Sequence, residues 1–121
     1  MTMPRMTDAE RAYVHIATRQ YLGTMLWADS LDDTYQMDDF ALSAVKSSLT
    51  EVADFVVANW DDLTDIDAEQ AGHDFLLTRD GHGVGFWDRG LGEVGDRLTR
   101  ACGSYGASDA YVGDDGKVYV A

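Results

Sequence analysis

Seven apolar residues, Leu42, Val45, Leu49, Val52, Val56, Trp60 and Leu63, recur at steps of three and four through the middle of the chain. Strand side chains alternate with period 2 and helical ones with period 3.6, so this spacing buries a single stripe only if the stretch is a helix. Lys46, Ser47, Thr50, Glu51 and Asp54 fall on the opposite face, which suits one side on a core and one in water. An earlier stretch supplies a partner. Thr7 and Glu10 stand three apart, as a capping box requires, and Val14, Ala17, Tyr21 and Met25 follow at helical spacing. This predicts a helix over 8–27, weakened at Gly23, with Arg11, Arg19 and Gln20 facing water. Residues 28–39 are polar, acidic and aperiodic, a loop in which Asp38 or Asp39 caps the next helix.

The second half reads differently. Asp67 to Gly72 suggests a short helical turn ended by glycine. His73–Arg79 reads as a strand, Asp80-Gly81 as a tight turn and Val84–Asp88 as the return strand. Leu91, Val94, Leu98, Ala101 or Cys102, and Tyr105 restore a helical period, with Gly106 beyond its end. A second hairpin closes the chain, with strands over 109–112 and 117–120 around Gly113-Asp-Asp-Gly116. The expected fold class is α+β: two longer helices, then an antiparallel sheet of about four strands from two hairpins, with a helix between them. With 121 residues, 45% of them hydrophobic, the chain holds one core, and 1–121 is expected to be a single domain.

The net charge is −13, and it is uneven. Residues 1–30 are balanced, residues 31–70 carry −10 and residues 71–121 carry −3. That argues against direct contact with nucleic acid, where phosphates require clustered Lys and Arg, and against anionic membrane surfaces. It favours a protein partner with a basic surface, which the field would steer. Acids Asp61, Asp62 and Asp65 oppose the dipole at the end of the periodic helix, a small cost that points to another use. The candidate partner-binding patch is Asp32, Asp33, Asp38, Asp39, Asp61, Asp62, Asp65 and Asp67. The lone Cys102 leaves no intrachain disulfide and fits a reducing compartment. With no spanning-length apolar run and no secretion-signal pattern, the expected location is cytoplasmic.

His73-Asp-Phe-x-Leu-Thr-Arg79-x-Gly81-His82-Gly83-x-Gly85-Phe-Trp-Asp-Arg-Gly90 resembles a family of small acidic proteins encoded by bacteriophages and related mobile elements. The tail Tyr111-Val-Gly-Asp-Asp-Gly-Lys117-x-Tyr119 and the connection Leu31-Asp-Asp-x-Tyr35 are similar to that family too. The likeness covers most of residues 27–120 and weakens over the first helix. It implies a phage origin, hence a bacterial host cytoplasm, and no particular activity, cofactor or catalytic residue.

Other constellations are weaker. Gly81-x-Gly83-x-Gly85 lies between expected strands, unlike the dinucleotide fingerprint, and reads as a hairpin turn. The hairpin register sets Arg79 opposite His82 and His73 opposite Asp88, the pairing a general base uses; Arg79 or Arg89 would then bind an anion. A small enzyme or ligand binder centred on His73, Asp88, Arg79 and His82 is therefore the alternative, and a cross-strand hydrogen bond the plainer account. His73, Asp74, His82 and Asp88 lack metal-ligand spacing, and Asp65-x-Asp67-x-Glu69 does not continue as a calcium loop. No metal or cofactor is expected. Cys102 reads as buried and inert, and Trp27, Trp60 and Trp87 as core, although Phe86-Trp87 puts one ring at an edge or interface. The function that follows is binding: a phage accessory protein whose acids occupy the basic groove of a host nucleic-acid enzyme.

Overall fold

The computed structural model describes residues 2–121. Helix α1 (Asp8–Ala28) opens on the capping box: Glu10 N donates to Thr7 Oγ1 at 3.1 Å and Thr7 N to Glu10 Oε1 at 2.8 Å. It ends in a Schellman turn, with Ser30 N donating to Trp27 O and Leu31 N to Leu26 O. The left-handed position is held by Ser30, at φ 60°. Helix α2 (Leu42–Ala58) buries Val52, Ala53, Phe55 and Val56, while Leu42 at its first turn is exposed. The predicted continuation to residue 63 is interrupted at Asn59, whose side chain donates to the Phe55 carbonyl. A separate turn, α3 (Trp60–Leu63), follows.

The largest correction concerns residues 68–88. Ala68–Arg79 is one helix, α4, running through both the expected stop at Gly72 and the expected strand 73–79. Helix α4 buries Ala71, Gly72, Asp74, Phe75, Leu76, Leu77 and Arg79. Burial on so many sides erases the polar face that reveals a helical period, and a short apolar run then looks like a strand. Gly72 does not end the helix. It faces α1, where a methyl group would collide with the Ala17 carbonyl, so glycine permits the close crossing. Asp80-Gly81 is a Schellman turn rather than a hairpin turn: Gly81, at φ 74°, donates to Thr78 O and His82 N to Leu77 O. Val84–Asp88 is loop, with a single 3₁₀ turn at Phe86–Asp88.

Helix α5 (Glu93–Cys102) lies within the predicted helical stretch. The final hairpin forms as expected from strands β1 (Ala110–Val112) and β2 (Val118–Val120), with Tyr111 opposite Tyr119. Its turn places Gly116 at φ 79°. Phe40, just before α2, makes a parallel bridge to Val118. The expected α+β fold with four strands is therefore replaced by a mainly helical one: five α-helices and, among the described residues, one two-stranded antiparallel sheet.

The core lies between α1, α2 and α4. Phe55 and Phe75 stack at 4.3 Å, with Tyr21, Phe86 and Tyr105 packed around the pair. Arg79 ties the C-terminal segment to this core. Its guanidinium donates to Glu51, to Tyr21 Oη at 3.1 Å, and to the Gly106 and Tyr105 carbonyls at 2.7 and 2.9 Å. A buried cation is tolerated because a carboxylate and several acceptors surround it.

Candidate functional site

The structure does not assemble the expected His73–Asp88 and Arg79–His82 pairs, because the hairpin that would pair them is absent. His73 lies midway along α4, and its Nδ1 is 2.8 Å from Thr24 Oγ1 of α1. Asp88 accepts from Gly85 N at 3.0 Å and closes its own loop turn. Arg79 is enclosed in the core. His82 is exposed, its Nε2 4.0 Å from Asp80.

The loop 80–92 is built to hold a fixed shape. Its start is anchored by the Schellman turn and its middle by Thr78 Oγ1, which accepts from Phe86 N. Gly85 packs so closely on Thr78 that a methyl group there would meet that hydroxyl. Phe86 is fully buried. Arg89 donates from Nε and Nη2 to Asp74, whose carboxylate is buried beneath it; the closest contact is 2.8 Å. On this scaffold Trp87 is 53% exposed and Val84 40%, so neither contributes to the core. The expectation that Trp27 and Trp87 are core residues is corrected: Trp27 is 58% exposed, and only Trp60 is packed, edge-on against Tyr13. A strand would have pointed Phe86 and Trp87 to opposite faces; the 3₁₀ turn separates them as sharply.

The eight candidate acids divide into two groups. Asp32, Asp33, Asp38 and Asp39 lie on the α1–α2 loop, and Asp61, Asp62, Asp65 and Asp67 on the turns between α2 and α4. The second group lies near Tyr13, which donates to the Ile66 carbonyl. In the first, Asp32 and Asp33 follow Asp29 at the end of α1, whereas Asp38 and Asp39 follow Met37, which lines a cleft with Ile16, Arg19 and Glu69.

Each group gains neighbours from distant sequence. Asp62 accepts twice from Arg97 of α5, at 2.7 and 2.9 Å, and those bonds hold its carboxyl below the usual range. Asp65 and Asp67 share a cleft with Arg89 and Leu91. The acidic corner at 61–67 thus borders the loop that presents Trp87. The other group borders the hairpin: Ala110 N donates to Asp29 and Ala41 N to the Val118 carbonyl, bringing the α1–α2 loop alongside Asp109, Asp114 and Asp115. There Asp80 is pushed up from the ordinary 3.8 by burial, opposed by its bond from Ser108 N, with Asp109 and Asp29 adding repulsion. Asp29, Asp80 and Asp109 come from three separate elements, and no sequence signal links them.

Cys102 is buried as expected, and burial pushes its thiol up to about 12, far from reactive at neutral pH. Among the described residues no three His, Cys, Asp or Glu are grouped to hold a metal ion, and no helix is long and apolar enough to cross a membrane. No family model, no curated protein and no solved structure matches this chain.

Proposed function

We propose that this is a phage-encoded accessory protein that acts by binding, its acidic surface occupying the basic groove of a host nucleic-acid enzyme in place of phosphates. One observation carries the reading: Asp65 and Asp67 share a cleft with Arg89 and Leu91 of the loop that exposes Trp87 and Val84, and Asp61 lies on the preceding turn. Carboxylates steer a basic partner, and an exposed aromatic beside them supplies the anchor that interfaces place at their centre. An exposed Trp also stacks on incoming Arg or Lys. The reading unites the distinctive motif with the acids, which in sequence lie apart. The His73–Asp88 alternative loses its basis, since each residue has a separate structural partner.

The test is a pull-down of tagged protein from bacterial lysate, eluted in salt steps from about 0.1 to 1 M, where screening becomes strong. The expected eluate contains a nucleic-acid enzyme that is released by salt and competed off by duplex DNA. It is absent when Asp61, Asp65 and Asp67 are changed to Asn. A partner that the triple variant retains equally would end the proposal.

A further inference from the structure

The final hairpin has one covered edge and one open edge. Gly113 N donates to Lys117 O and Ala121 N to Asp109 O, both at 2.8 Å, and Tyr111 stands opposite Tyr119. Bonded and non-bonded pairs alternate along an antiparallel ladder, so Asp109, Tyr111 and Gly113 turn their backbone groups toward β2, while Ala110 and Val112 turn theirs away. The outer edge of β2 is covered by the Phe40 bridge, with Ala41 N donating to Val118 O at 2.9 Å. On the outer edge of β1, Asp29 accepts the Ala110 N–H at 2.7 Å. The Ala110 carbonyl and both backbone groups of Val112 have no partner among the described residues. Tyr111 is 51% exposed and Val112 38%. Both line a shallow cleft of about 510 Å³ with Asp114 and Tyr119. The two tyrosine rings stack at 5.8 Å, and Asp115 fixes the second by accepting from its hydroxyl at 2.6 Å. Asp114 takes part in none of the ion pairs among the described residues.

We propose that the open edge of β1 receives an extended basic peptide segment of a protein partner, which adds a strand to the sheet and lays a Lys or Arg side chain over Tyr111 and against Asp114. Bonds from the Ala110 carbonyl and from Val112 hold the segment, and the side-chain position beside them selects it. Residues directly opposite one another in a sheet share a face, as Tyr111 and Tyr119 do. The residue that faces Tyr111 from an added strand therefore projects over the same ring platform, where a cation meets the ring faces and a carboxylate. Charge decides the occupant. Asp29, Asp109, Asp114 and Asp115 stand around this edge, with Lys117 as the one nearby cation. A second copy is the other occupant that an open edge admits, but it brings a further −13 of charge and the same acids.

The test is titration of the ¹⁵N-labelled protein with the peptide acetyl-Thr-Lys-Val-Arg-Val-Lys-amide. Saturable binding is expected, with amide shifts confined to residues 109–119 and to Asp29, and with slower hydrogen exchange at the Val112 amide. The same peptide with Glu in place of Lys and Arg should bind about tenfold more weakly or less. A version methylated on its backbone nitrogens keeps the charge but cannot pair, and it should not bind. Val112→Pro removes the outward N–H, which β2 does not use, and an edge strand tolerates proline there. This variant should keep the Gly113 and Ala121 amide signals and lose the peptide. Equal binding of the Glu peptide or of the methylated one, full binding by a folded Val112→Pro variant, shifts elsewhere or no saturation would each overturn the proposal. Dimerisation that protects Val112 without peptide would also overturn it, by making the occupant a second copy.

Discussion

His73–Arg79 and Gly81–Gly90 are neighbouring halves of one motif, and their side chains face opposite ways. In the helical half, Asp74, Phe75, Leu76, Leu77 and Arg79 are buried, each with a packing or bonding partner. In the loop half, Phe86 and Gly85 are buried and hold the shape, while His82, Val84 and Trp87 face outward. A distinctive sequence therefore has two different causes within twenty residues. The first half is demanding because a helix enclosed on several sides must match every neighbour. The second is demanding because a loop must display particular groups in a fixed place.

Substitutions can break or sharpen this contrast. Phe75→Ala removes the ring stacked on Phe55 at the centre of the core, and chemical denaturation should show a loss of about 3–5 kcal/mol. Asp74→Asn leaves Arg89 without its carboxylate over a buried site. The expected loss is about 2 kcal/mol, below the full value of a buried pair because a third of the arginine side chain already meets water. If either change were silent, the helical half would not be the structural half.

At the junction, Asp80→Asn gives a pH signature. The folded carboxyl of Asp80 is raised above its unfolded value of 3.8, so the folded state keeps its proton longer. Its effect favours folding at low pH and is lost as pH rises from the unfolded value through the folded one. Asparagine imitates the protonated form and can still accept from Ser108 N. The melting-temperature difference in favour of the variant should therefore be near zero at low pH and grow toward pH 7. A difference that shrinks over that range would contradict the assigned cause. The smallest expected change in stability is for Trp87→Ala, within about 0.5 kcal/mol of the parent. The same variant should lose most of the salt-released partner in the pull-down. A large fall in melting temperature would place Trp87 with the helical half instead.

Several parts of the fold are legible along the chain. The Thr7–Glu10 box, the α2 stripe and the turn of the final hairpin are local patterns, each complete within a few residues. Asp80-Gly81 shows how a local signal is read correctly and used differently: it does demand a left-handed glycine, but a Schellman turn needs one as much as a hairpin does. The candidate acids are surface residues that the charge count already suggested. Which neighbours they gain depends on bonds such as Arg97–Asp62 across 35 residues and Ala110–Asp29 across 81.

Taken alone, the sequence determined the helical period of α1 and α2, the Thr7 cap, the turn of the final hairpin and that the surface is strongly anionic. The expected cap at Asp38 or Asp39 is not used, since Ala41 precedes α2 and Asp39 accepts from Gln36 N. Only the tertiary structure decided that residues 73–79 are a helix, which way the motif's two halves face and which carboxylates are neighbours. Periodicity reports burial on one side of an element. An element buried on several sides has no period to report, and a contact between distant residues leaves no repeat in either of them.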